Sequence, residues 1–271
     1  MKHKIILFVC LIGMAVCVAA MWAPDLRSLS AAGSAKQVQK EKSKAEYQQH
    51  ISTQTQMPQE KKVAPAQMLP EYQTLYEKNA DVVGWLKIED TVIDYPVMQT
   101  PEDEEYYLDY DFYGNRNVNG SLILDADSAT GTGTAEKEYA DGSSPTTNLI
   151  IHGHTMKSGR MFGNLQRYRD KVYGKKHSVI QFDSLYEHRT YELLAVFYSQ
   201  VYYKTDSVFK YYNFFQANTK EEFQDWYRNI KKLSLYDTEV IAEFGDEFIT
   251  LSCCSYHVED GRFVVVGKRI S

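Results

Sequence analysis

The sequence predicts a mainly β domain, mostly antiparallel and compatible with a barrel, with a few helices packed around it. Three observations predict it. Short runs with strand-like alternation or continuous apolar character recur between residues 82 and 270, separated by turn signals. One long stretch with helical periodicity stands just before the last two of these runs. Tyrosine is frequent, at 21 residues, and aromatic residues favour pleated, half-buried surfaces.

The chain opens with MKHK and then IILFVCLIGMAVCVAAMWA, Ile5 to Ala23, a run without a charge. Its length is close to the roughly 20 residues a helix needs to cross a bilayer. Lys2 and Lys4 precede it, so the positive-inside rule puts the N-terminus in the cytoplasm and the rest of the chain outside. A cleaved signal peptide is the competing reading. Met21 and Trp22 interrupt the small residues that a cleavage site needs, which favours an uncleaved anchor. Residues 24–67 are rich in Gln, Lys, Ser and Ala and hold no sustained apolar period, so they read as an extracellular stalk. The globular domain is expected over 68–271.

That domain begins with a short helical pattern in which Leu69, Tyr72, Leu75 and Tyr76 share a face. Strand patterns follow in VVGWLKI, TVIDYPVMQ and GSLILDADS, the last ending in acidic residues. A long polar loop occupies 129–147. NLIIHGH, SVIQFDS, RTYELLAVFYSQVYY, EFITLSCC and RFVVVGKRI continue the strands. Between RTYELLAVFYSQVYY and EFITLSCC lies NTKEEFQDWYRNIKKLSLYD. Thr219 with Glu222 suits a capping box, and Phe223, Trp226, Ile230 and Leu233 recur at helical spacing as a core-facing stripe.

Charge excludes one class of partner. The net charge is −6 and no basic stripe with interleaved aromatics occurs, so nucleic acid is not expected to bind. Cysteine usage excludes a disulfide framework. Cys10 and Cys17 fall in the apolar run, and Cys253 and Cys254 are neighbours that only a strained vicinal bond could join.

The adjacent cysteines carry the chemistry. A thiolate is the nucleophilic form and needs a basic or positive neighbour. Acyl transfer also needs a proton for the leaving amine and a donor for the oxyanion. In ITLSCC, strand parity puts Ile249, Leu251 and Cys253 on one face and Thr250, Ser252 and Cys254 on the other. The first face is apolar, so Cys253 reads as a small buried hydrophobe and Cys254 as the accessible thiol. Asp260-Gly261 signals a turn, after which Arg262 starts a returning strand across from Cys254. His152 and His154 share a face of their strand, so parity does not separate them. His177 and His257 are loop candidates.

At these residues the sequence resembles the class B sortases. TLSCC resembles the signature Thr-Leu-x-Thr-Cys, with Cys253 where threonine is usual. NLIIHGHTMKSGRMFGNL resembles the family's strand, Gly-His pair and following short helix, and His152 stands where tyrosine is common. GRFVVVGKRI resembles the final strand. DVVGWLKIEDTVIDYPVMQ, NGSLILDADS and the long helix also match in order, so the likeness spans about 69–271. It implies an eight-stranded barrel with an N-terminal helical extension and a long helix before the last two strands. It implies a cysteine transpeptidase, a cysteine peptidase of the hydrolase class, with catalytic residues His154, Cys254 and Arg262. Thr250, Ser252 and Asn119 are the expected substrate-binding residues. It implies a thioester acyl-enzyme in which His154 protonates the departing amine and later deprotonates the incoming one. No cofactor and no metal are implied. The partners would be secreted proteins bearing a C-terminal sorting motif, and an amine of the cell-wall precursor or a pilin lysine.

Two readings from other classes compete. A papain-like hydrolase places its cysteine before its histidine, at the start of a helix, whereas here the order is His, Cys, Arg. A metal-binding module would draw on His152, His154, Cys253, Cys254 and His257. Adjacent cysteines lack the usual spacer and parity sends them to opposite faces.

Overall fold

The computed structural model describes residues 33–45, 67–132 and 144–271. The apolar run 5–23, most of the expected stalk and residues 133–143 of the polar loop lie outside them. Among the described residues no helix is long and apolar enough to cross a membrane.

Eight strands close into one barrel: β1 (Val82–Lys87), β2 (Asp94–Met98), β3 (Leu122–Leu124), β4 (Asn148–Gly153), β5 (Val179–Ser184), β6 (His188–Gln200), β7 (Phe248–Cys254) and β8 (Gly261–Arg269). The order around the barrel is β1-β2-β3-β4-β7-β8-β6-β5. Neighbours are antiparallel except β2 with β3 and β4 with β7, which run parallel. The expected barrel is therefore observed, and it is mostly antiparallel, with two parallel pairs. Helices surround it: α1 (33–45), α2 (Pro70–Lys78), α3 (Tyr106–Asp109), α4 (Lys171–Lys176) and α5 (Lys220–Leu233).

Side-chain alternation gives β7 and β8 two buried faces. Ile249, Leu251, Cys253, Phe263 and Val265 point into the barrel core. Phe248, Val264 and Val266 belong to a second apolar layer outside it, with Phe223, Trp226 and Ile230 of α5. Phe214 stacks on Trp226 at 4.3 Å, and Trp226 packs against Phe248 at 4.7 Å. The stripe on α5 is thus core packing, except that Leu233 is exposed at its end. Thr219 caps the helix by accepting from Glu222 N, while Glu222 Oε2 reaches back to Asn218 N, one residue beyond the usual capping box.

α1 departs from the expected solvated stalk. Val38 is buried in a third apolar cluster with Tyr72, Leu75 and Trp85. Lys42 Nζ lies 3.4 Å from Asp183 Oδ2 and over the rings of Tyr72 and Trp85 at 5.0 and 4.8 Å. One apolar residue among polar ones produces no visible period, which is why the helix was not apparent as a docking element. In α2, Tyr72 and Leu75 are buried, but Tyr76, expected on the same face, is exposed.

Candidate active site

The site forms where three neighbouring strands end together. In the β7–β8 hairpin Cys254 pairs with Arg262, and facing residues of an antiparallel pair project to the same side. In the parallel β4–β7 pair His152 is level with Ser252 and Gly153 with Cys253, so His154 follows at the level of Cys254. His154, Cys254 and Arg262 line one cleft of about 230 Å³, together with His152, Ser252, Asp125 and Tyr211.

Local geometry explains each position. A Cβ at Gly153 would come within 2.6 Å of Leu122 Cδ2 and Phe162 Cδ2, so any other residue before His154 would have to displace those side chains. His154 Nε2 lies 2.8 Å from the carbonyl oxygen of Leu108. A carbonyl only accepts, so Nε2 donates and Nδ1 is the ring nitrogen left for proton transfer. The carbonyl of Cys254 accepts from Thr155 Oγ1 at 2.6 Å and Gln166 Nε2 at 3.3 Å, which fixes the end of β7. Asp260 adopts φ 51° in the turn, a left-handed conformation that aspartate tolerates, and a Cβ at Gly261 would strike the carbonyl oxygen of Ser255. Arg262 is only 8% exposed, and its Nη1 donates to the carbonyls of Asp260 and Gly261 at 3.2 and 3.0 Å.

The two thiols differ as parity requires. Both are free. Cys254 is half-buried at the cleft, whereas Cys253 is 2% exposed inside the barrel. Burial pushes the Cys253 thiol up to about 12, against the smaller opposing effects of Thr155 and Arg262. A thiol so disfavoured as thiolate is not the nucleophile.

The expected substrate-binding residues separate. Ser252 lines the cleft, but it is 1% exposed and its Oγ lies 2.7 Å from Tyr211 OH. Thr250 is 2% exposed, donates to Asn148 Oδ1 and does not line the cleft. The polar face of β7 is covered by the second apolar layer, a packing that alternation along one strand does not disclose. Asn119 is buried too and lines a different pocket, of about 410 Å³, beside α1.

Of the remaining histidines, His177 Nδ1 contacts the carbonyl of Glu89 at 3.0 Å, and His257 Nδ1 contacts Ser255 Oγ at 3.0 Å; neither lines the cleft. Among the described residues no group of three or more His, Cys, Asp or Glu side chains is arranged to hold a metal ion. Thr155, Gln166 and the Leu108 carbonyl were missed from the sequence. A residue that acts through its carbonyl carries no side-chain signal, and Gln166 lies in a 3₁₀ turn (Leu165–Arg169) without a motif. Asp125 did have a signal, the acidic end of LILDADS.

A closed eight-stranded barrel with a strand-end cysteine between a histidine and an arginine defines the class of β-barrel cysteine transpeptidases. Comparison with known proteins narrows the class. Sortase B of Listeria monocytogenes is 33% identical over 203 residues, 74% of each chain. Sortase B of Staphylococcus aureus is 28% identical over 203 residues, 74% of this chain and 75% of the relative. Among solved structures, sortase B of S. aureus complexed with MTSET superposes with a TM-score of 0.70 at 22% identity, over 92% of both chains, a likeness of fold. Sortase B of Bacillus anthracis in complex with AAEK1 gives 0.68 at 25% identity, over 91% of this chain and 99% of that one. No family model matches the chain. The chain belongs to the sortase B family.

Proposed function

We propose that the protein is a membrane-anchored, extracellular transpeptidase that cuts a C-terminal sorting motif of secreted proteins and transfers them to an amine through a thioester on Cys254. The observation that carries the proposal is the convergence of His154, Cys254 and Arg262 at adjoining strand ends on one cleft, while Cys253 beside them is only 2% exposed.

Cys254 attacks the carbonyl before the scissile bond. His154, with Nε2 held by Leu108, offers Nδ1 to protonate the departing amine. The guanidinium of Arg262, across the ladder from Cys254, stabilises the developing oxyanion and holds substrate carbonyls. Ser252 belongs to the floor that the substrate meets; Thr250 and Asn119 stand away from it. The substrate and acceptor are supported by relatives, since solved structures include an S. aureus sortase B-substrate complex and a sortase B complexed with triglycine. The acceptor is an amine of the cell-wall precursor or a pilin lysine. Residues 5–23 are the single-pass anchor with the N-terminus in the cytoplasm, 24–67 the connecting segment, of which α1 docks on the domain, and 68–271 the catalytic domain.

The test is a panel of sorting-motif peptides, with and without an amine, followed by mass spectrometry of the intact protein. An acyl adduct on Cys254 that an amine discharges to a new amide supports the reading. Absence of an adduct with every peptide, or an adduct retained in Cys254→Ala, overturns it.

A further inference from the structure

The cleft holds a second histidine that the reaction just described does not use. His152 stands on β4 two residues before His154, level with Ser252, which is two residues before Cys254 on the same face. Two residues of strand span about 7 Å. His152 therefore lies along the wall from the thiol, within reach of a molecule approaching it.

Its ring is oriented. Nε2 lies 3.0 Å from Asp125 Oδ2, at the end of β3. A carboxylate accepts only, so Nε2 donates and Nδ1 is the basic atom. An aspartate that holds one ring nitrogen fixes the tautomer and stabilises the imidazolium once a proton arrives, which is the arrangement of a general base. The rest of the wall is acidic. Glu104, Glu105 and Asp127 line the same cleft. The other charged or titratable groups lining it are His154, Cys253, Cys254, Tyr211, Tyr212 and Arg262. Burial raises both tyrosines, so they stay neutral, and Arg262 is the one cation among the described lining residues.

Resting on the transpeptidase reading above, we propose that His152 and Asp125 form the entry site for the acceptor amine, and that His152 takes its first proton. An amine nucleophile reaches the site as an ammonium ion, since an α-amino group has a pKa of about 7.7–8.0 and a lysine about 10.4. Carboxylates draw in that cation. Nδ1 of His152 accepts one N–H proton and the ring becomes an imidazolium beside Asp125. The neutral amine then attacks the thioester carbonyl. An N–C bond forms, the C–S bond breaks with its electron pair returning to Cys254 as thiolate, and the second N–H proton passes to His154 Nδ1. His152 releases its proton to solvent. Atoms and charge balance without a co-reactant. Water, the competing nucleophile, is already neutral and does not need this step.

The partition of the acyl-enzyme between amide and free acid reads the step directly. The intact chain is acylated with a peptide that loads Cys254, then split between water and two probes, triglycine and Nα-blocked lysine. His152→Gln is expected to lower the amide-to-acid ratio at pH 7 about 10²-fold for the lysine probe, the lower end of general-base contributions, and at most about tenfold for triglycine, of which about a tenth is already neutral. Near pH 10, where triglycine is neutral and about a quarter of the lysine probe is, the ratio should return to within about fourfold of wild type. Asp125→Asn should shift the ratio in the same direction and recover in the same way. Recovery at high pH is a signature that a lost packing contact does not give. An unchanged ratio at pH 7 in both variants, or a deficit that persists at pH 10, overturns the assignment. If the wild-type chain forms no acyl-enzyme at all, the transpeptidase reading itself fails, a result distinct from either.

Discussion

Two adjacent thiols separated by the wall of a barrel make the residue scale unusually clear. Cys254→Ala should abolish peptide cleavage and acyl-enzyme formation, because no other group at the cleft supplies the covalent intermediate. Cys253→Thr should remain active and lose about 1–3 kcal/mol of stability, since a hydroxyl enters the barrel core. Mass spectrometry of a thiol-directed reagent should place the adduct on Cys254 in both wild type and Cys253→Thr; labelling of Cys253 instead would reverse the roles. Arg262→Lys keeps the charge and loses the planar fork, so turnover should fall roughly 10²–10³-fold, as for a lost oxyanion donor. Near-normal turnover would reduce Arg262 to a general electrostatic role. Much of this was legible in the sequence. Period-two alternation separated Cys253 from Cys254, and the Asp260-Gly261 turn put Arg262 across the ladder. The histidines were not separable by the same means, because they lie on one face. Their hydrogen bonds, to Leu108 and to Asp125, distinguish them, and those partners lie 46 and 27 residues away.

At the scale of elements, the docking of α1 depends on a cluster of charges. His188 Nδ1 is 3.0 Å from Asp183 Oδ1 and its Nε2 is 3.3 Å from Glu71 Oε1. Tyr72 OH donates to Asp183 Oδ2, which Lys42 of α1 also approaches. Burial alone would raise Asp183, but the bonds from His188 and Tyr72 and the charge of Lys42 hold it below the ordinary carboxylate range. The bond to Asp183 raises His188 against its burial. The two signs bracket a pH window. Asp183 contributes stability that is present above its unfolded pKa of about 3.9 and is lost as pH falls through its lower folded value. His188 contributes stability that is full below about 6.5 and is lost as pH rises through its higher folded value. The melting temperature should therefore decline on both sides of roughly pH 4–6.5, and His188→Gln should flatten the alkaline side and, by removing the main bond that lowers Asp183, part of the acid side too. His188 is largely exposed, so salt should weaken its share. A profile identical in the variant would remove His188 from the cluster's balance. The strands and α5 were legible because their patterns are long. α1 was not, because Val38 is its lone fully buried apolar residue among the described ones.

For the whole molecule, the third apolar cluster sets what a minimal fragment needs. A chain starting at 33 should melt higher than one starting at 68, by on the order of 5 °C, since burying a valine contributes about 1.5–3 kcal/mol and each kcal/mol shifts a domain of this size by about 2–4 °C. The shorter chain should keep the barrel spectrum by circular dichroism. Equal melting would confine the stable unit to 68–271. The number and sequence order of strands could be read from turn signals, but their order around the barrel could not. The two parallel neighbours, β2 with β3 and β4 with β7, join segments separated by intervening structure, and no local pattern encodes such pairing. That topology also sets a timetable. β8 is the last strand of the chain, yet it lies between β6 and β7 and carries Arg262. Until it arrives those two strands keep open edges, which invite pairing with other chains, and contacts over such sequence distances form slowly. Synthesis runs from the N-terminus, so Cys254 is made before the β8 strand that carries Arg262. Under the reading proposed above, a chain interrupted before β8 carries the cysteine without the guanidinium that faces it.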